Sequence, residues 1–146
     1  MKKFVGVNMI EAEPMSQNKF SEIMGKVHGT EDREGYMVSY PDGYKSWSPK
    51  DVFEAAYFPL EEGDKITQSD VDLFMGEVKS QKIDEKTTLV STESMTGFTQ
   101  HETSACVDPA NYSEELGAKY GAEKLRGKYW HNLGFVLQWA KFGLKQ

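Results

Sequence analysis

Hydrophobic and polar positions follow two different periods along this chain, and the changes from one to the other predict its elements. Residues 3–10, KFVGVNMI, are apolar and β-prone through Phe4, Val5, Val7 and Ile10, and predict an opening strand. Phe20, Ile23, Met24 and Val27 then recur at helical spacing, which predicts a short helix with Ser16 as N-cap. GTEDREG, residues 29–35, is polar and glycine-bounded, and reads as a loop. YMVSY (36–40) alternates as a strand, PDG (41–43) is turn chemistry, and YKSW (44–47) returns as a second strand. In SPKD, Ser48 is the expected N-cap, with Pro49 at the first helical position and Asp51 three residues after the cap. Val52, Phe53, Ala56 and Tyr57 form the apolar face of the helix that follows.

PLEEGDK (59–65) is acidic and holds a proline and a glycine, so residues 61–66 are the expected linker. Thr67 caps a helix through Val71, Phe74, Met75 and Val78. Two strands are expected next, KTTLVST (86–92) and GFTQHETSACV (97–107). Asp108 as N-cap and Pro109 behind it open one broken or two consecutive helices. Tyr129, Trp130, Leu133, Val136, Leu137 and Ala140 form one apolar stripe there. Phe135, Trp139 and Phe142 form a second, which implies deep burial or a subunit interface, with self-association the favoured reading. The fold class is α+β, in two small modules: residues 1–60, an antiparallel sheet with short helices, and residues 67–146, a helix, a β-hairpin and two helices.

Composition narrows the function without naming it. Hydrophobic residues are 38% and charged residues 27% of the 146, an ordinary globular balance. No apolar run approaches the ~18–20 residues that span a bilayer, and MKKFVGVNMIEAE lacks the long apolar stretch of a signal peptide. A lone cysteine, Cys106, has no disulfide partner within the chain and suits a reducing compartment. The net charge of −6 argues against a general DNA or RNA binder, because phosphate affinity rests on clustered Lys and Arg.

Candidate chemistry is sparse. His101, Cys106 and Asp108 invite a cysteine-nucleophile reading, but strand alternation sets His101 and Cys106 on opposite faces, and a structural cysteine with a capping aspartate explains them more simply. His28, His101 and His131 show no metal-ligand spacing, and no Walker loop or GxGxxG occurs, so neither metal nor cofactor is expected. Two places remain. Tyr44 and Trp47, beside Lys45 and Lys50, exceed what a turn and a strand need. Lys119, Lys124, Arg126 and Lys128 interleave with Tyr120, Tyr129 and Trp130, as a phosphate-bearing aromatic ligand requires or as a solvated basic face provides.

Residues 64–146 resemble a widespread family of small tailed-phage proteins through TGFTQHETSACVDPANYSEELG and YWHNLGFVLQ, departing from its pattern at Thr103, where the acid sits one place earlier at Glu102. Residues 1–58 separately resemble the β-rich N-terminal module of phage anti-Thoeris sponge proteins, through AEPM at 12–15 and EGYMVSYPDGYKSWSPKDVFEAAY at 34–57. Those proteins sequester a cyclic ADP-ribose-type immune signal without cleaving it, and some bind cyclic dinucleotides. The resemblance implies a non-enzymatic phage counter-defence protein in the cytoplasm of the infected host, its partner a nucleotide second messenger. On that reading Lys50, Lys124, Arg126 and Lys128 pair with phosphates, while Tyr44, Trp47 and Trp130 stack on bases. The alternative is a protein-interaction module working through the aromatic last helix. A messenger-degrading enzyme using His101 and Glu102 is a third option.

Overall fold

A computed structural model describes every residue except Val27, His28 and Thr30. The chain divides into two compact units, Met1–Pro59 with Trp139–Gln146, and Leu60–Gln138. Residues 61–66, the expected linker, group with the second.

The first unit is an antiparallel sheet, β1 (Glu11–Pro14), β2 (Gly35–Ser39) and β3 (Lys45–Pro49), in the order β1-β2-β3. The opening strand therefore forms at 11–14 and not at 3–10. Ala12 lies opposite Val38, which is buried, whereas Phe4 and Val5 are 90% and 80% exposed. Strand preference is a fit to a half-buried surface, and where no surface is offered the preference is not expressed. Helix α1 (Gln17–Ile23) is capped as expected, the Ser16 hydroxyl accepting from Lys19 N at 3.3 Å. Of its expected face only Phe20 is buried; Ile23 and Met24 are exposed, and Val27 lies outside the described residues.

The β2–β3 turn follows its sequence closely. Gly43 takes φ +88°, its N–H donates to Tyr40 O, and Asp42 Oδ1 accepts from Tyr44 N. The next cap does not follow. Ser48 stays in the ladder opposite Tyr36, and Pro49 pairs with Gly35, so α2 (Lys50–Ala56) begins one residue late with Pro49 at its cap and no side-chain cap bond. Cross-strand pairing outweighs the local capping preference. Helix α2 packs on β2 and β3. Phe53 stacks on Tyr36 at 4.2 Å and on Tyr57 at 4.9 Å, while Val52 and Ala56 of the expected face are exposed.

In the second unit, Thr67 and Asp70 form a reciprocal capping box on α3 (Gln68–Met75). Asp70 is buried and also accepts from Glu61 N at 3.1 Å, which ties the residues before Thr67 to this helix. Gly76, at φ +77°, ends the helix before Val78. Val78 instead begins β4 (Val78–Asp84), which pairs with β5 (Thr87–Glu93), and β5 pairs with β6 (Thr99–Ala105). The expected hairpin is thus a three-stranded meander. VKSQKID holds too few apolar residues to announce itself, because β4 is an edge strand with six of its seven residues exposed.

Asp108 caps a short 3-10 turn, Pro109–Asn111, through a 2.9 Å bond from Ala110 N, as expected. The expected pair of helices is one continuous helix, α4 (Glu114–Phe142). Its buried residues are Gly121, Leu125, Tyr129 and Leu133, four apart. They meet Val71 and Met75 of α3 and Val90 of β5 in one core. Thr88 and Thr92 flank Val90 on that face, and their hydroxyls bond Tyr112 Oη and Met75 O. Trp130 and Val136 of the expected stripe are exposed. Phe135 and Phe142 are 67% and 68% exposed, so deep burial is not what their stripe records; Trp139 is half-buried.

Candidate functional site

Tyr44, Trp47 and Lys50 belong to the first unit, and Lys124, Arg126, Lys128 and Trp130 to the second.

On α4 the basic residues do not share a face. Lys124 and Lys128 precede Leu125 and Tyr129, while Arg126 and Trp130 follow them, so the two pairs stand about 200° apart around the helix with the buried stripe between. Lys124 Nζ donates to Thr103 O at 2.7 Å. Lys128 Nζ donates to His101 O at 3.2 Å and pairs with Glu102 at 2.8 Å. Lys128 bonded to the Glu102 carboxylate holds that group's pKa below the ordinary range, with the Thr103 N–H adding to the effect. Across the stripe, Arg126 Nε pairs with Asp72 at 2.8 Å and Trp130 Nε1 donates to Gln68 at 3.2 Å, both acceptors lying on α3. These side chains clamp α4 to its neighbours, and the geometry does not converge them on a ligand.

The cysteine-nucleophile arrangement is not formed. His101 Nδ1 bonds Ser91 Oγ at 2.8 Å, while Cys106 Sγ donates to the Asp108 carbonyl at 3.2 Å. Among the described residues no carboxylate orients the His101 ring, so the Ser91–His101 pair lacks the third member of a nucleophilic triad. Glu102 points to the other face of β6, toward Lys128. The described residues hold no group of three potential metal ligands, and none of their helices is long and apolar enough to cross a membrane. His28 lies outside the described residues.

Tyr44 and Trp47, in contrast, line one cleft. It has a volume of about 270 Å³ and is completed by Gln17, Ser21, Lys26 and Lys45. Trp47 is anchored. Its Nε1 donates to Met15 O at 2.8 Å, the Arg33 guanidinium lies 5.3 Å from the ring centroid, and Gly35 approaches so closely that an added Cβ would lie 2.5 Å from the indole. Only glycine fits there. Tyr44 is 65% exposed, and the Tyr40 ring lies beside it at 5.8 Å. Tyr40 in turn neighbours Tyr57, whose phenol pKa is raised by burial and by the nearby Tyr40 phenol. Tyr44 is therefore the open end of an aromatic run through Tyr40, Tyr57, Phe53 and Tyr36. The run is closed at the far end by the Tyr36 hydroxyl, which donates to Glu54 at 2.8 Å and has its pKa pushed up by that carboxylate. Among the described residues Lys26 and Lys45 make no ion pair, whereas Lys50 pairs with Glu34 at 3.5 Å.

Gln17, Ser21 and Lys26 were not singled out from sequence. Gln17 and Ser21 reach the cleft because α1 packs against β3, and Lys26, beyond the helix end, is held to it by its N–H donating to Ser21 O at 2.7 Å, contacts that nothing in their local pattern reports. A larger hollow of about 390 Å³ in the second unit is lined by Glu77, Glu93, Lys79 and hydroxyl side chains, without an aromatic ring, and its two carboxylates against one ammonium disfavour an anion.

No curated protein and no solved structure matches this chain. The family model described as the phage protein (N4 Gp49/phage Sf6 gene 66) family matches residues 50–140, taking in α2, the whole of the second unit and most of α4. The chain belongs to that phage protein family.

Proposed function

We propose that this protein binds a nucleotide-derived second messenger of bacterial immunity in the cleft of its first unit and holds it without cleaving it. The observation that carries the reading is the cleft itself: an exposed tyrosine ring, an anchored tryptophan and two lysines with no ion pair among the described residues. The base stacks on Tyr44, worth about 1–3 kcal/mol for a base on an aromatic ring. Lys26 and Lys45 meet phosphate oxygens, and Gln17 and Ser21 supply hydrogen bonds. At about 270 Å³ the cleft is slightly below the ordinary small-molecule range of roughly 300–1,000 Å³. It takes one base-and-phosphate portion, and the rest of the ligand lies outside. The resemblance of residues 34–57 to anti-Thoeris sponges supports the same reading, since Tyr44 and Trp47 belong to the shared motif. Such a protein acts in the cytoplasm of the infected cell, by stoichiometry and not by turnover.

The test is calorimetric titration against cyclic ADP-ribose isomers and cyclic di- and trinucleotides, with the recovered ligand weighed by mass spectrometry. Sub-micromolar binding with intact ligand released is expected. Tyr44→Ala and Lys45→Ala should each weaken it at least about tenfold, or ~1.4 kcal/mol, while Arg126→Ala leaves it unchanged. Cleaved ligand would make the protein an enzyme, and silence across the panel would sink the reading. A second reading rests on Phe135 and Phe142, two exposed rings seven residues apart on α4. They suit an interaction with a host or phage protein, and a silent titration would move the assignment there.

A further inference from the structure

The outer edges of the β4-β5-β6 sheet differ. Along β6 the carbonyls of His101 and Thr103 point outward and are taken by Lys128 and Lys124 of α4. An edge covered in this way cannot recruit another strand. Along β4 no described residue pairs with the outer edge, and Lys79–Asp84 are exposed. The register shows which groups are left open there. His101 and Thr103 face outward, so they are the non-hydrogen-bonded partners of Ser91 and Leu89. Ser91 and Leu89 then direct their N–H and C=O groups at Lys79 and Gln81. The unpaired backbone groups of β4 belong to Val78, Ser80 and Lys82.

The chain also carries a strand-forming segment without a sheet. Residues 3–9 contain Phe4, Val5 and Val7, and Phe4 and Val5 are almost fully exposed. The segment's one backbone bond to a described residue is Met9 N to Ala140 O, at 3.3 Å. Laid antiparallel to β4 with Val7 opposite Ser80, it brings Val7 and Val5 to the open groups of Ser80 and Lys82 and leaves Met9 N on Ala140 O. Beyond Lys82 the strand is bulged, and there Phe4 lies toward Ile83, itself 49% exposed, and Lys3 and Lys2 toward the acidic pair Asp84 and Glu85. Charge and apolar surface match in this direction, whereas the parallel direction would set Lys2 and Lys3 toward Lys79.

We propose that the open edge of β4 accepts residues 3–8 of a second copy of this chain as a fourth strand, so that the protein self-associates by strand addition. Backbone hydrogen bonds supply the affinity, and the charge pairs fix the direction.

Two substitutions separate the halves of the junction. Ser80→Pro removes an outward N–H that is unpaired in the single chain, so it blocks the edge and spares the β4–β5 ladder. Val5→Pro disables the added segment, which is outside both sheets. Sedimentation velocity should show wild type heavier than the 16.6 kDa chain, with the excess mass growing with concentration. Each variant should be folded by circular dichroism and run as a single chain, its association weakened on the order of a hundredfold. An equimolar mixture should restore a species of two chains, because one variant keeps the edge and the other the segment. Wild type remaining a single chain up to roughly 1 mM, association surviving Ser80→Pro, or a mixture that stays monomeric would each overturn the proposal.

Discussion

Replacing Gly121 with alanine, and Gly127 with alanine in parallel, makes the same chemical change six residues apart on one helix, and the two should move stability in opposite directions. Both lie inside α4, where glycine is about 0.8–1 kcal/mol worse than alanine. At Gly127 an added Cβ meets nothing within 4 Å, so Gly127→Ala should recover most of that amount. At Gly121 the Cβ would lie 2.5 and 2.8 Å from the two methyl groups of Val90. Val90 is fully buried on the central strand of its sheet and, being β-branched, has little rotamer freedom to yield. The helix must lift from β5, which loosens Leu125 and Tyr129 in the same core. Overpacking of this kind costs about 1–3 kcal/mol, and two contacts under 3 Å against a stiff neighbour place it in the upper part of that range. After the helix-propensity gain, a net loss of about 1–2 kcal/mol remains. For a chain of this size each kcal/mol moves Tm by roughly 2–4 °C. Gly121→Ala should therefore melt lower by about 3–6 °C and Gly127→Ala higher by about 2–4 °C, followed by circular dichroism at the helix band. Equal stabilisation by both would show that α4 does not approach β5 as described, and would remove the core on which the second unit is built.

Two further outcomes follow from the polar groups of that unit. Tyr129 is 2% exposed and its hydroxyl has no hydrogen-bond partner among the described residues. An unsatisfied buried hydroxyl costs about 1–3 kcal/mol, so Tyr129→Phe should raise stability by about 1 kcal/mol in urea titration; a clear loss would mean that the hydroxyl is partnered, by a buried water for example. Glu102 has a depressed pKa through Lys128, so its contribution is present above the unfolded value of about 4.3 and is lost as pH falls through the lower folded value. Wild type should exceed Glu102→Gln by about 0.2–1 kcal/mol at pH 7, and the gap should close in acid; a gap unchanged by pH would exclude the ion pair as its source.

What this sequence determines by itself is local. The caps at Ser16, Thr67 and Asp108, the turn at Pro41–Gly43 and the α+β alternation rest on side chains bonding their own backbone or on φ preferences, which operate within a few residues and are visible wherever they occur. Tyr44 and Trp47 were legible for a related reason: they exceeded what the turn and strand required. Everything that depended on a distant partner was decided by the tertiary structure. Ser48 loses its capping role because β2 pairs with it, residues 3–8 form no strand within either sheet, and polar β4 forms one because β5 offers it a ladder. Lys124, Arg126 and Lys128 look like a phosphate site in one dimension, yet the buried face of α4 runs between them and sends each to a different anchor. Lys26 enters the cleft, and Lys50 is withdrawn from it, through contacts set by the packing of α1 on β3 and by Glu34. A side chain's charge is written in the sequence, whereas its availability depends on which opposite charge or carbonyl the fold brings within about 3 Å.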